Sequence, residues 1–154
     1  MEKKIIKVVF DDKLNYQFVN EEELRTGSSR SVEMWRTRVA SNRSPWLSLT
    51  NVGDVYNVAI SHGEGKFLAS EELIRQLAAN GQIATQYVDL DDKATGDIHF
   101  NPNGSLYAIE GITSPDGRVI GKMGHSERIG NGLYKNVLGE YDIQMFKAAV
   151  KYFK

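Results

Sequence analysis

The chain contains no cysteine. That excludes disulfide bonds, thiolate metal sites and every mechanism that uses a cysteine nucleophile from within these residues. It also lacks any apolar run near the ~20 residues that a membrane-spanning helix needs. The lysines at the N-terminus are followed only by Ile5-Ile6 and Val8 to Phe10, broken by Lys7, which is too short for the apolar region of a secretory leader. A cytoplasmic location without membrane contact is the expectation. Charge of one sign is missing too: 19 basic and 20 acidic residues leave a net charge of −1. No global field favours nucleic acid or anionic lipid. Internal repeats and low-complexity segments are absent.

What remains is an ordinary globular composition, 41% hydrophobic and 25% charged over 154 residues. That is one domain's worth of chain, able to bury roughly 70% of the surface its unfolded form exposes. Lys4 to Phe10 is a short apolar run expected as a strand, and Asp11 to Ser31 is polar, with Gly27-Ser28-Ser29 as a loop. Met34 to Ser41 alternates Trp35, Thr37 and Val39 with Arg36 and Arg38. That pattern predicts a half-buried strand with a solvated arginine face. Pro45 marks a turn into Trp46-Leu47, and Asp54 to Ile60 is a further strand.

Ser70 is placed to cap a helix whose first turn carries Glu71 and Glu72. Leu73, Ile74, Leu77 and Ala78 predict its buried face, and Gly81 its stop. Strands are expected over Ile83–Val88, Ser105–Thr113 and Arg118–Met123, the last two joined by a Ser114-Pro115-Asp116-Gly117 type I turn. A closing helix over Asp142–Phe153 should bury Ile143, Phe146, Val150 and Phe153, with Asp142 as its cap. The class is α/β or α+β.

Two segments share a His-x-Glu pattern at the ends of expected strands: His62-Gly63-Glu64 and His125-Ser126-Glu127. In extended backbone, residues two apart point the same way, so each His and its Glu can converge. A carboxylate that accepts one imidazole N–H fixes the tautomer and stabilises the imidazolium, the orienting role of a triad's third member. A lone His-x-Glu is more often a hydrogen-bonded surface pair. The four residues could also form a two-His, two-carboxylate metal site on neighbouring strands. His99, Trp35 and Trp46 read as structural residues.

The longer strings are more specific. SHGEGKF at Ser61–Phe67, NPNGS at Asn101–Ser105, IEGITSPDGRVIGKMGHSER at Ile109–Arg128 and the closing NGLYKNVLGEYDIQMF resemble one family. It is the C-terminal glutaminase domain of phosphoribosylformylglycinamidine synthase, the glutamine-using enzyme of purine biosynthesis. MWRTRVASNRSPWL at Met34–Leu47 is similar to the strand and turn that precede HGEG there. The resemblance covers residues 34–154, as the C-terminal portion of such a domain, and leaves 1–33 poorly matched.

The resemblance implies a partial class I glutamine amidotransferase-like, flavodoxin-like α/β sheet with flanking helices and a strand-rich insertion. It makes His125 the general base and Glu127 its orienter in a Cys-His-Glu triad, with Ser61, His62 and Gly63 as glutamine contacts and no metal in this site. Ammonia freed from glutamine would pass to a synthase domain that uses ATP and magnesium, so no cofactor is expected here. The family's cysteine stands on a glycine-flanked elbow upstream of HGEG. Neither that elbow nor a G-x-S-x-G substitute occurs in this chain. The expected partners are therefore a synthase domain, the half-domain carrying the thiol, or a second copy covering an unpaired sheet edge. A non-catalytic binding or assembly paralogue of the same fold is the alternative.

Overall fold

The computed structural model describes residues 8–10, 16–18, 30–61, 65–130, 133–134 and 137–154. Residues Lys4 to Lys7, the Gly27-Ser28-Ser29 loop and His62-Gly63-Glu64 lie outside them. Among the described residues, seven strands form one sheet: β1 (Val8–Phe10), β2 (Tyr16–Phe18), β3 (Arg30–Val39), β4 (Val55–Ile60), β5 (Ile83–Tyr87), β6 (Ile109–Thr113) and β7 (Ile120–Lys122). Two helices accompany it, α1 (Glu71–Ala79) and α2 (Met145–Phe153). Every described strand pairing is antiparallel. Among the described residues, no helix is long and apolar enough to cross a membrane.

The long strand β3 organises the sheet. It pairs β1 at Arg30–Val32, β4 at Glu33–Arg38 and β5 at Thr37–Val39. The expected alternation holds, with Thr37 and Val39 buried and Trp35 half-buried against Tyr87, their rings 6.4 Å apart edge to face. The arginine face is not simply solvated. Arg36 pairs with Asp92 at 2.5 Å and donates to the Asp89 carbonyl, while Arg38 donates to Gln86. Arg38 also donates to the Asp92 carbonyl at 3.3 Å, so both arginines hold the loop after β5 onto β3.

Apolar side chains gather in two clusters. One joins Val39, Leu47, Ala84, Ile143 and Met145; the other joins Ile60, Tyr87 and Ala108, with Trp35 and Met123 against it. The second cluster lies under the ends of β4 and β7, where the chain runs into Ser61 and Gly124. Leu47 reaches the first cluster because Pro45–Leu47 forms a single 3-10 turn, capped by the Ser44 hydroxyl accepting from the Trp46 amide.

Helix α1 begins as its sequence predicts, with the Ser70 hydroxyl accepting from the Leu73 amide and Gly81 in the left-handed region at φ +65°. Its buried stripe is narrower than expected: Ile74 and Leu77 are covered, whereas Leu73 and Ala78 are exposed. Helix α2 differs more. It packs on the Pro45–Leu47 turn and buries Met145, Ala148 and Ala149, leaving Phe146, Val150 and Phe153 about half exposed. Phe153 nevertheless keeps its ring 6.2 Å from that of Trp46 in the same turn. Asp142 is not the cap residue, which is Gln144. It accepts from the Gln144 amide and pairs with Lys147 just before the helix.

The strand expected from Ser105 starts only at Ile109. Asn101 clamps both the amide and the carbonyl of Ser105 through its side-chain amide. A 3-10 turn then follows over Leu106–Ala108, with Tyr107 and Ala108 at positive φ. The Ser114–Gly117 turn closes as predicted, the Gly117 amide donating to the Ser114 carbonyl at 2.9 Å.

Truncating Leu47 to alanine should lower stability by about 2–5 kcal/mol, the range for a fully buried leucine. Val150→Ala on the open side of α2 should change it by no more than ~0.5 kcal/mol. Urea unfolding of both variants checks the assignment of the helix face, and equal losses would contradict it.

Candidate active site

Two strand ends meet at the site. β4 delivers Ser61, and β7 delivers Met123, Gly124 and His125. The His125 amide donates to the Ala59 carbonyl at 2.8 Å, an isolated antiparallel bridge that seats the His125 segment beside β4. Close approach is possible only because residue 124 has no side chain. A Cβ there would meet the two methyl carbons of Val58 at 2.5 and 2.8 Å and Glu110 Oε1 at 3.0 Å.

His125 Nδ1 lies 2.6 Å from Glu127 Oε1. A carboxylate only accepts, so the ring proton sits on Nδ1 and the lone pair of the neutral imidazole is on Nε2. The convergence of His125 and Glu127 does not arise from extended backbone. Ser126 and Glu127 form a turn, closed by the Arg128 amide donating to the His125 carbonyl at 3.2 Å. Ser126 points inward and is buried, while the His125 and Glu127 side chains stay partly open, at 33% and 55% exposure.

On its other side, His125 Nε2 is 3.4 Å from Ser61 Oγ. The Ser61 hydroxyl in turn accepts from Arg128 Nη1 at 2.7 Å. Arg128 therefore holds Ser61 across the mouth of the imidazole, and its own carbonyl accepts from the Tyr134 hydroxyl at 2.8 Å. Tyr134 stacks on Tyr141, rings 5.2 Å apart. The Asn57 side chain ties the Leu138 carbonyl back to β4.

Burial is the largest influence on the Glu127 carboxyl and pushes its pKa up. The backbone amide of Glu127, the hydrogen bond from His125 and the nearby His125 and Arg128 together outweigh it and hold the group below its ordinary value. Glu127 is thus kept as the anion the imidazole requires.

The structure brings Ser61, His125 and Glu127 together. His62 and Gly63, the other two expected contacts, lie outside the described residues, as does Glu64. Among the described residues, no group of three or more His, Asp or Glu side chains stands together as metal ligands.

Sequence reasoning missed what lies beneath the dyad. Glu110 on β6, 2% exposed, and Lys122 on β7 form a buried ion pair at 3.1 Å. The signal available was an acid inside the apolar run Ile109–Ile112, one strand from a lysine.

Comparison with known proteins decides the family. Residues 18–153 match the CobB/CobQ-like glutamine amidotransferase domain. The chain belongs to that family. It is 40% identical over 106 residues to the phosphoribosylformylglycinamidine synthase subunit PurQ of Thermomicrobium roseum, covering 68% of this chain and 44% of the relative. It is 38% identical over 115 residues to the PurQ of Thermus thermophilus, covering 74% and 47%. The chain thus spans less than half the length of these relatives.

The solved structure of PurLQS from Thermotoga maritima superposes with a TM-score of 0.56 at 22% identity, over 80% of this chain and 48% of that one. The fold is accordingly that of a class I glutamine amidotransferase, of which the described residues contain an antiparallel set of strands with two flanking helices. Within this amidotransferase-family chain the dyad sits at the strand ends, the usual place for an α/β site.

Two outcomes follow from this geometry. Because the folded pKa of Glu127 is depressed, its contribution to stability is complete above the unfolded carboxyl's range and is lost as pH falls through the lower folded value. A carbon-13 titration should place the Glu127 midpoint below that of the unfolded chain, and Glu127→Gln should flatten the matching part of the stability–pH curve. Gly124→Ala should cost ~1–3 kcal/mol by overpacking against Val58. Adding Val58→Ala should return part of that loss relative to Val58→Ala alone, which thermal unfolding of the four chains measures.

Proposed function

We propose that this chain supplies the base and its orienter to a glutamine-hydrolysing centre whose thiol comes from outside these 154 residues. One observation carries the reading. His125 has Nδ1 committed to Glu127 and leaves Nε2 as an available base facing Ser61. In this reading Nε2 takes the proton of a cysteine thiol brought to it, and the thiolate attacks the glutamine carboxamide carbon. The proton then returns to the departing ammonia, and water hydrolyses the glutamyl thioester to glutamate. Ser61 lies where the substrate or thiol would approach, and Arg128 holds its hydroxyl.

The substrate and partners follow the matched relatives, which are named as subunits of phosphoribosylformylglycinamidine synthase. The ammonia would be consumed by a synthase partner in the ATP- and magnesium-dependent amination of formylglycinamide ribonucleotide in purine biosynthesis, a cytoplasmic role. The missing cysteine favours a second reading, a binding or assembly module that keeps the fold without the chemistry.

Isolated, the chain should release no ammonia from glutamine above background. Mixed with a polypeptide carrying the family's cysteine elbow, it should gain glutaminase activity that His125→Ala lowers by about 10³-fold or more. Turnover by the isolated chain that disappears in His125→Ala would refute the external thiol. Glutamine binding without hydrolysis in every mixture would favour the second reading.

A further inference from the structure

Directly beneath the His125 segment lies a buried charge network that nothing in the dyad itself requires. The Lys122 and Glu110 side chains are 8% and 0% exposed. The lysine ammonium pairs with Glu110 Oε1 at 3.1 Å and donates hydrogen bonds to the Gly124 carbonyl at 3.3 Å and to Ser126 Oγ at 3.1 Å. Glu110 is equally occupied. Its Oε1 also accepts from the Gly124 amide at 2.6 Å, and its Oε2 accepts from the Thr85 hydroxyl.

The contacts bracket His125. The pair grips both polar groups of Gly124 on one side and the Ser126 hydroxyl on the other. The His125 amide is meanwhile tied to Ala59. A buried pair satisfied in this way contributes little net stability over an apolar replacement, but it fixes geometry. We infer that Lys122 and Glu110 are positioning residues, which aim His125 by clamping the residues before and after it. Neither reaches the imidazole, so both act through the backbone of Gly124 and the side chain of Ser126. The consequence for catalysis rests on His125 being the glutaminase base; the clamp itself does not.

The test uses the full chain labelled with nitrogen-15 histidine. Deleting one charge would leave the other buried and unpaired, so the informative variant removes both: Glu110→Leu with Lys122→Met. The readout is solvent exchange of the His125 Nδ1 proton that bridges to Glu127. His99 provides an internal control, because its Nδ1 bonds Asp97 at 2.7 Å and both side chains are exposed. In the folded double variant, exchange at His125 should accelerate about tenfold, the effect of loosening one hydrogen bond, with His99 unchanged.

An unchanged His125 proton, or equal acceleration at both histidines, would overturn the inference. Should the double variant fail to fold, Ser126→Ala keeps the ion pair and removes only the outer contact. Exchange should then rise roughly two- to threefold at His125 alone, and no rise would overturn the clamp. The two readings separate cleanly. A responsive His125 in a chain that never supports hydrolysis keeps the clamp and removes the glutaminase role. Hydrolysis that depends on His125, with exchange indifferent to the pair, does the reverse.

Discussion

The ion pair between Lys122 and Glu110 is the constraint on which the rest of the site depends. It joins β6 to the end of β7 at the level where the chain leaves the sheet, and the lysine donates to two further acceptors beside its carboxylate partner. Charges of this kind are tolerated away from water only when every donor and acceptor has a partner. The Gly124–Ser126 segment supplies several of those partners, so it cannot drift without exposing an unpaired charge to an apolar surround. Gly124 adds a steric limit, since its contact with Val58 leaves no room for any side chain. Electrostatics and packing therefore act together at Gly124, and the ion pair also holds Ser126.

Much of the fold follows from local chemistry and was legible as such. Ser70 caps α1 and Gly81 ends it because capping depends only on residues within a turn or two. The alternation along β3 and the Ser114–Gly117 turn are local in the same sense. The failures concern surfaces chosen by distant partners. Helix α2 packs on the Pro45–Leu47 turn and buries Met145, Ala148 and Ala149, a choice of face that periodicity alone does not reveal. The Ser105–Ala108 stretch looked like strand, but Asn101 holds Ser105 in a clamp and the following residues turn.

The candidate site divides along the same line. His125 and Glu127 were readable because they are two residues apart, although a turn rather than extended backbone makes them converge. Ser61 was placed by resemblance, and its bond to Arg128 came only with the structure. Glu110 stood out only as an acid in an apolar run, and its pairing with Lys122 was not readable. Their partnership is a tertiary fact, and a lone acid in an apolar run carries no mark of what will neutralise it.

The turn that holds His125, Glu127 and Arg128 has a further consequence. Base, orienter and the arginine that restrains Ser61 lie within four consecutive positions, so chain connectivity keeps them close together while the buried pair beneath sets how the imidazole is aimed. Connectivity alone thus keeps the effective concentration of the orienter at the base high. A nucleophile arriving on another polypeptide has no such advantage and is governed by association. Dividing the domain between its thiol and this turn would make encounter, rather than protonation state, the quantity that sets the rate.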